Sequence, residues 1–208
     1  MESLRERKKQ RTREALLRAA VELFTTRGYE RTTVDDIVEA VDVSQRTFFR
    51  YFAGKEEAAF AVQRTAEAHF VDAVRARPAE EPPVKAMRQA VVEGWDTLHE
   101  VIESAVPVEL YLRMYRVIES TPALLAAHLR RSVEIEEILA GIIAEREGLD
   151  VDADPRPRLA VAVFSGVMRL TERQWSVGAE SGLAHMRALT VAYLDQVGPE
   201  LMGRWDSR

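Results

Sequence analysis

The chain contains no cysteine, which excludes a disulfide framework, thiolate metal sites and thiol nucleophiles. No apolar run approaches the ~18 residues that a membrane-spanning helix needs. The first residues are charged rather than apolar, so no secretory leader is expected. Glycine is scarce, 10 of 208 residues, and it never clusters into a phosphate-cradling loop or a dinucleotide fingerprint. Ser165 precedes Gly166 but lacks the flanking glycine and the strand of a nucleophile elbow. The four histidines are scattered; only His99 and Glu103, one helical turn apart, could face a common metal, with no third ligand marked nearby. No stretch alternates polar and apolar residues as a half-buried strand does. These absences predict a cytoplasmic, all-α chain with no metal, no cofactor and no catalytic chemistry.

What is present is helical pattern divided by breakers. A first helix carries Leu16, Leu17, Ala20, Leu23 and Phe24 on one side and stops at Gly28. From residue 55 onward, breakers at Pro78, Pro82-Pro83, Pro107, Pro122, 148–157, 178–182 and Gly198-Pro199 leave six helical segments. They are 55–77, 83–104, 108–119, 122–147, 158–177 and 183–197. The run from Glu134 to Glu137, with Arg130 and Arg131 before it, reads as a solvated helix face.

Residues 32–55 are the most informative part of the chain. Thr33 with Asp36 three residues later is a helix-start pattern. Val34, Ile37, Val38 and Val41 then recur on one face. Asp42 falls where a tight turn needs one left-handed residue, a conformation Asp adopts with some penalty. Ser44 is a strong N-cap for a second helix, expected over 45–51. Its outward residues are Gln45, Arg46, Thr47 and Arg50; Arg and Gln bond bidentately to guanine and adenine, and Thr can touch a thymine methyl. Phe48 and Phe52 share a packing face, while Phe49 and Tyr51 can reach a DNA backbone. This is the layout of a helix-turn-helix reader of the major groove. Arg5, Arg7, Lys8, Lys9, Arg11, Arg13 and Arg18 form a basic arm before it. Lys55 opens the next helix, where ammonium and helix N-terminus both attract a phosphate. Charge is uneven in the same sense: residues 1–56 carry +2 and the remainder −7, which suits DNA contact by one end only.

The run Leu23 to Val38, followed by Val43 to Glu56, resembles the N-terminal domain of the TetR/AcrR family of transcription regulators. The resemblance covers roughly residues 10–57 and agrees at many spaced positions. One departure is Asp42, where the family usually has Gly. The resemblance implies that Thr33, Gln45, Arg46, Thr47, Phe49, Tyr51 and Lys55 contact double-stranded DNA; Ser44 and Arg50 complete the candidate surface. It also implies an all-α architecture: a three-helix helix-turn-helix domain over 1–54 and a ligand-binding and dimerisation bundle of about six helices over 55–208.

The segment 158–177 is apolar nearly all round, so it must be covered on more than one side. The resemblance implies a homodimer formed by the last two long helices. Candidate interface residues are Ala162, Ser165, Gly166, Arg169, Leu189 and Tyr193. Two stretches, 117–126 and 157–169, together with Trp175, further resemble a C-terminal class associated with acyl-CoA-like ligands and mycofactocin-type regulators. This implies a small hydrophobic, acyl-type effector. Candidate lining residues are Phe70, Trp95, Leu98, His99, Tyr111, Met114, Tyr115, Phe164, Met168 and Trp175, with polar neighbours His69, Glu93, Arg113, Arg116 and Arg173. The same aromatics and methionines, at helical spacing, read first as core or surface and only second as ligand contacts. What the resemblance implies overall is a repressor that binds a pseudo-palindromic operator and is released by its effector.

Overall fold

The structure, a computed structural model, describes residues 3–178 and 182–197. Among the described residues there are nine helices and no strand: α1 Leu4–Arg27, α2 Val34–Val41, α3 Gln45–Phe49, α4 Lys55–Arg75, α5 Pro83–Glu103, α6 Val108–Ser120, α7 Pro122–Glu147, α8 Arg156–Val177 and α9 Leu183–Leu194. The all-α expectation holds. Of the expected breaker at 178–182, Gly178 ends α8 and Gly182 precedes α9; residues 179–181 and Gly198-Pro199 lie outside the described residues.

The described residues form two compact units. One takes those up to Ala66 together with His99–Leu124; the other takes Glu67–Leu98 and those from Leu125 onward. Helices α4, α5 and α7 therefore each contribute to both units.

In the first unit, α1 packs against α2 and α6. Leu16, Leu17, Ala20 and Phe24 of α1, Ile37 of α2, and Phe48 and Phe52 are all buried, as are Met114 and Ile118 of α6. The basic arm is not a tail leading into a helix. Its residues, Arg5 to Arg18, lie within α1 itself, begun by a capping box in which the Ser3 hydroxyl accepts from the Glu6 N–H at 3.2 Å and the Glu6 carboxylate accepts from the Ser3 N–H at 3.0 Å. At the start of α6, Pro107 offers no side-chain cap. Glu103 supplies one from outside, accepting the Val108 N–H at 3.0 Å, and this is where its carboxylate goes instead of to a metal with His99.

In the second unit, Val74, Met87, Ile143, Ala160, Val161 and Phe164 centre one hydrophobic core, and α9 packs on α8. Helix α8 starts two residues earlier than the breaker at Pro157 suggested. Proline lies within its first turn, where a missing N–H costs nothing.

The charged run of α7 is not a solvated face throughout. Arg131 pairs with Glu67 of α4, Glu136 with Arg169 of α8, and Glu137 with Arg158 of α8 at 3.1 Å. Helical period brings these α7 charges onto the sides that meet α4 and α8, so they clip helices together.

Candidate functional site

The helix-turn-helix is built from local chemistry. The Thr33 hydroxyl accepts from the Asp36 N–H at 3.1 Å, and the Asp36 carboxylate accepts from the Thr33 N–H at 2.7 Å, giving α2 a complete capping box. The Thr33 hydroxyl, donating to the Asp36 carboxylate at 2.6 Å, and then the Thr33 N–H hold that carboxyl below the usual carboxylate range. At the other end, Asp42 sits at φ 55°, ψ 51°, the sole non-glycine with positive φ among the described residues. Its N–H reaches the Glu39 carbonyl at 3.2 Å, and that of Val43 reaches Val38 at 3.0 Å, a Schellman ending. Ser44 then caps α3, accepting the Thr47 N–H at 3.2 Å.

Helix α3 ends at Phe49, two residues sooner than expected. Its last turn tightens, with Tyr51 N–H bonding to the Phe48 carbonyl at 2.9 Å. The amphipathic split is as the sequence suggests: Phe48 and Phe52 are buried, with ring centroids 5.5 Å apart. Gln45, Arg46, Phe49 and Arg50 are exposed, as are Ser44 and Thr33; Thr47 and Tyr51 are half-buried. The Arg50 guanidinium lies 4.9 Å over the Tyr51 ring and donates to its hydroxyl at 3.2 Å. The Gln45 amide donates to Asp35, which orients it from α2. Arg13 of α1 stands 5.6 Å over the Phe52 ring.

Lys55, where a phosphate contact is expected, makes its bonds within the chain. Its ammonium donates to the carbonyls of Tyr29 at 2.9 Å, Thr32 at 3.0 Å and Glu30 at 3.4 Å, and lies 4.3 Å over the Tyr29 ring. Burial, with Glu56 nearby, pushes the Tyr29 phenol up.

The candidate effector residues fall in both units. Phe70, Trp95, Leu98, Phe164, Met168 and Trp175 belong to the second; His99, Tyr111, Met114 and Tyr115 belong to the first. In the second unit Phe70 stacks on Phe164 at 5.7 Å. Phe164 and Trp175 are buried, whereas Phe70, Trp95, Leu98 and Met168 are half-buried. In the first, Tyr111, Met114 and Tyr115 are buried and His99 is exposed. Of the polar neighbours, Glu93 pairs with Arg77, and His69 bonds to Thr97 at 2.8 Å. Among the described residues no group of three His, Asp or Glu side chains could hold a metal, and no helix is long and apolar enough to cross a membrane.

Comparison with known proteins decides what this arrangement is. The description "Bacterial regulatory proteins, tetR family" matches residues 16–62, and "MftR C-terminal domain" matches 81–200. The chain is 46% identical, over 97% of its length and 89% of the relative's, to the HTH-type transcriptional regulator TcmR of Streptomyces glaucescens. The chain belongs to the TetR family. It is also 28% identical, over 75% of each chain, to the mycofactocin biosynthesis transcriptional regulator MftR of Mycobacterium tuberculosis. Among solved structures it shares its fold with a TetR-family regulator from Syntrophomonas wolfei (TM-score 0.60, 15% identity, 90% of this chain and 95% of that one). A regulator from Pseudomonas aeruginosa PAO1 is similar (TM-score 0.56, 18% identity, 93% and 91%). A TetR-family member is a DNA-binding transcription regulator and not an enzyme, and α2–α3 is its helix-turn-helix.

Within that family frame, sequence reasoning missed two side chains of the helix-turn-helix unit. Asp35 holds the Gln45 amide, and Tyr29 lies beneath the Lys55 ammonium. Neither has a motif of its own, since each acts on a residue ten or more positions away. In the second unit it missed a partly buried cluster: Glu67 with Arg131, and His128 Nε2 standing 3.7 Å from Glu172. Burial pushes the Glu67 carboxyl up, and Arg131 offsets part of that rise.

Proposed function

We propose that the protein is a homodimeric, effector-responsive repressor acting in the cytoplasm on a pseudo-palindromic operator. The observation that carries this reading is the split of α3. Its Phe48 side is buried while Gln45, Arg46 and Arg50 stand exposed with Thr47 beside them, and these are the side-chain types that read base edges in a major groove. Residues 1–54 serve as the reading domain. Thr33, Ser44, Phe49 and Tyr51 flank the reading residues and hold the backbone.

The dimer reading rests on α8. Leu159 and Leu170 are more than half exposed and Val177 is 75% exposed; with the exposed Ala162 they follow one helical stripe. A Cβ built on Gly166, in the middle of that stripe, would meet nothing within 4 Å, so a second α8 has room to approach closely. Ser165, Leu189 and Tyr193 are half-buried beside it. Arg169 borders this surface while paired to Glu136. Two such reading domains on a two-fold axis suit half-sites about 34–36 Å apart.

A small hydrophobic, acyl-type effector is proposed to bind residues 55–208, with the half-buried Phe70, Trp95, Leu98 and Met168 as its apolar contacts. It releases DNA by favouring a spacing of the two reading domains that no longer fits successive grooves. A ~100-fold preference for that state corresponds to ~2.7 kcal/mol.

Selection of bound sequences from a random duplex pool, with wild type beside Arg46→Ala, tests the reading. A pseudo-palindromic consensus that degrades at defined positions in the variant is the expected result. Salt-sensitive binding with no consensus in either protein would sink it.

A further inference from the structure

Residue Lys55 opens α4, and its position alone suggests a cation waiting for a phosphate. Its surroundings say otherwise. An ammonium group has three N–H donors, and here the carbonyls of Tyr29, Thr32 and Glu30 take all three, at 2.9, 3.0 and 3.4 Å. The Tyr29 ring, 4.3 Å away, adds a cation–π contact. These carbonyls belong to the link between α1 and α2. That link is itself tightly made: Thr32 is fully buried, and its hydroxyl donates to the Gly28 carbonyl at 2.9 Å. Tyr29 packs on Phe24 of α1 with ring centroids 5.2 Å apart.

The residue after Thr32 is Thr33, whose hydroxyl starts α2. Two residues further on, in the first turn of α2, Asp35 holds the amide of Gln45 on α3. A connected series therefore runs from the Lys55 ammonium, through the Thr32 carbonyl and the capped start of α2, to the first residue of the reading helix.

We propose that Lys55 is a positioning residue for DNA reading: its ammonium locks the α1–α2 link and so sets the orientation of α2, Asp35 and Gln45, and it does not neutralise a phosphate. The inference rests on the proposed role of α3 as the reading helix.

Phosphate contact and positioning make opposite demands on the same residue. A phosphate contact adds about 0.9 to the slope of log affinity against log salt, acts equally on every DNA sequence, and accepts arginine in place of lysine. A positioning role leaves the salt slope alone and acts on sequence discrimination. It also rejects arginine, because a planar fork does not converge on three carbonyls as a compact ammonium does.

The test uses the full chain as wild type, Lys55→Met and Lys55→Arg, below their melting temperatures. Each is titrated against the selected consensus duplex and a scrambled duplex of the same composition, between about 50 and 200 mM salt. The expected result is about tenfold weaker consensus binding for both variants, little change on the scrambled duplex and an unchanged salt slope. A shallower slope, with equal loss on both duplexes for Lys55→Met and retention by Lys55→Arg, would make Lys55 a phosphate contact and overturn the inference. Unchanged affinity with only a lower melting temperature would overturn it as well, leaving a purely structural clamp. Should Lys55→Met not fold, Lys55→Arg decides alone, since retained consensus affinity in that variant contradicts positioning. Wild type that does not distinguish the two duplexes would instead sink the proposed function itself, a result visible before any variant is examined.

Discussion

The α2–α3 segment and the α7–α8 pair are held by different kinds of contact. In α2–α3 the fixing bonds are local: Thr33 with Asp36, Asp42 with Glu39, Ser44 with Thr47, and Gln45 with Asp35 ten positions back. Between α7 and its neighbours the fixing pairs cross long stretches of chain: Glu137 with Arg158 at 21 positions, Glu136 with Arg169 at 33, and Arg131 with Glu67 at 64. Local bonds follow from residue type and spacing, so caps and turn can be read from the sequence. Pairs formed at a distance depend on which helix faces which, and spacing alone does not contain that. The difference also separates two kinds of fragility. A local bond has few dependents, whereas a residue between packed helices supports everything around it.

The largest effect is therefore expected in the core of the second unit. Phe164 is 2% exposed and stacks on Phe70. Phe164→Ala should cost ~3–5 kcal/mol, the usual range for removing a buried aromatic and leaving a cavity. Chemical denaturation at fixed protein concentration measures it, since the stability of the proposed dimer depends on concentration. A cost below about 1 kcal/mol would mean that the ring borders space already open, which would move Phe164 from core towards effector lining.

The next effect separates a clip from a solvated charge. Arg131 and Glu67 have side chains 24% and 21% exposed. Arg131→Met leaves the Glu67 carboxylate largely buried without its partner. For a fully buried pair such a break costs ~3–5 kcal/mol; with this much exposure about 2 kcal/mol at neutral pH is expected. The pH dependence has a definite sign. The folded Glu67 carboxyl lies above its ordinary value, so between the two values the folded protein binds more protons than the unfolded one. Stability from this group falls as pH rises through that window and recovers as pH drops. Removing Arg131, which opposes the rise, should strengthen this trend. Denaturation of Arg131→Met at neutral and mildly acidic pH checks it. A deficit that is the same at both would show that the lost packing of the arginine stem matters and its charge does not.

How far the sequence could be read follows the same line. The helix-turn-helix, its capping residue Thr33, the left-handed Asp42 and the buried Phe48 and Phe52 follow from type and period. So do six later helices, because proline and glycine punctuate them. The body residues were less legible: Phe164, Trp175 and Met114 have the same apolar character whether they line a chamber or fill a core, and only burial separates the two. The α7 charges looked solvated because their partners on α4 and α8 are far away in the chain. Lys55 is the instructive exception in the first unit. Its surroundings are not legible in the sequence, because its carbonyl partners at 29, 30 and 32 lie more than 20 positions away, a long-range spacing like that of the α7 pairs.

The smallest effect has the opposite sign and tests the local side of the comparison most directly. Asp42 holds a left-handed conformation where the family usually has glycine. For a residue with a Cβ this conformation costs ~1–2 kcal/mol, somewhat less for Asp. Its carboxylate also stands at the C-terminus of α2, the end of the helix dipole that disfavours negative charge by ~0.3–1 kcal/mol. Asp42→Gly relieves both but makes the unfolded chain more flexible, at a cost of ~0.4–1 kcal/mol. The balance is a gain of about 0.5 kcal/mol, or a melting temperature higher by ~1–2 °C for a chain of this size. Consensus-DNA affinity should stay unchanged, because glycine adopts the left-handed turn geometry that places Ser44 and α3 without strain. A loss of stability would show that the Asp42 side chain makes a favourable contact in the turn, and a loss of DNA affinity would mean that the carboxylate, not only the backbone, helps to set the reading helix.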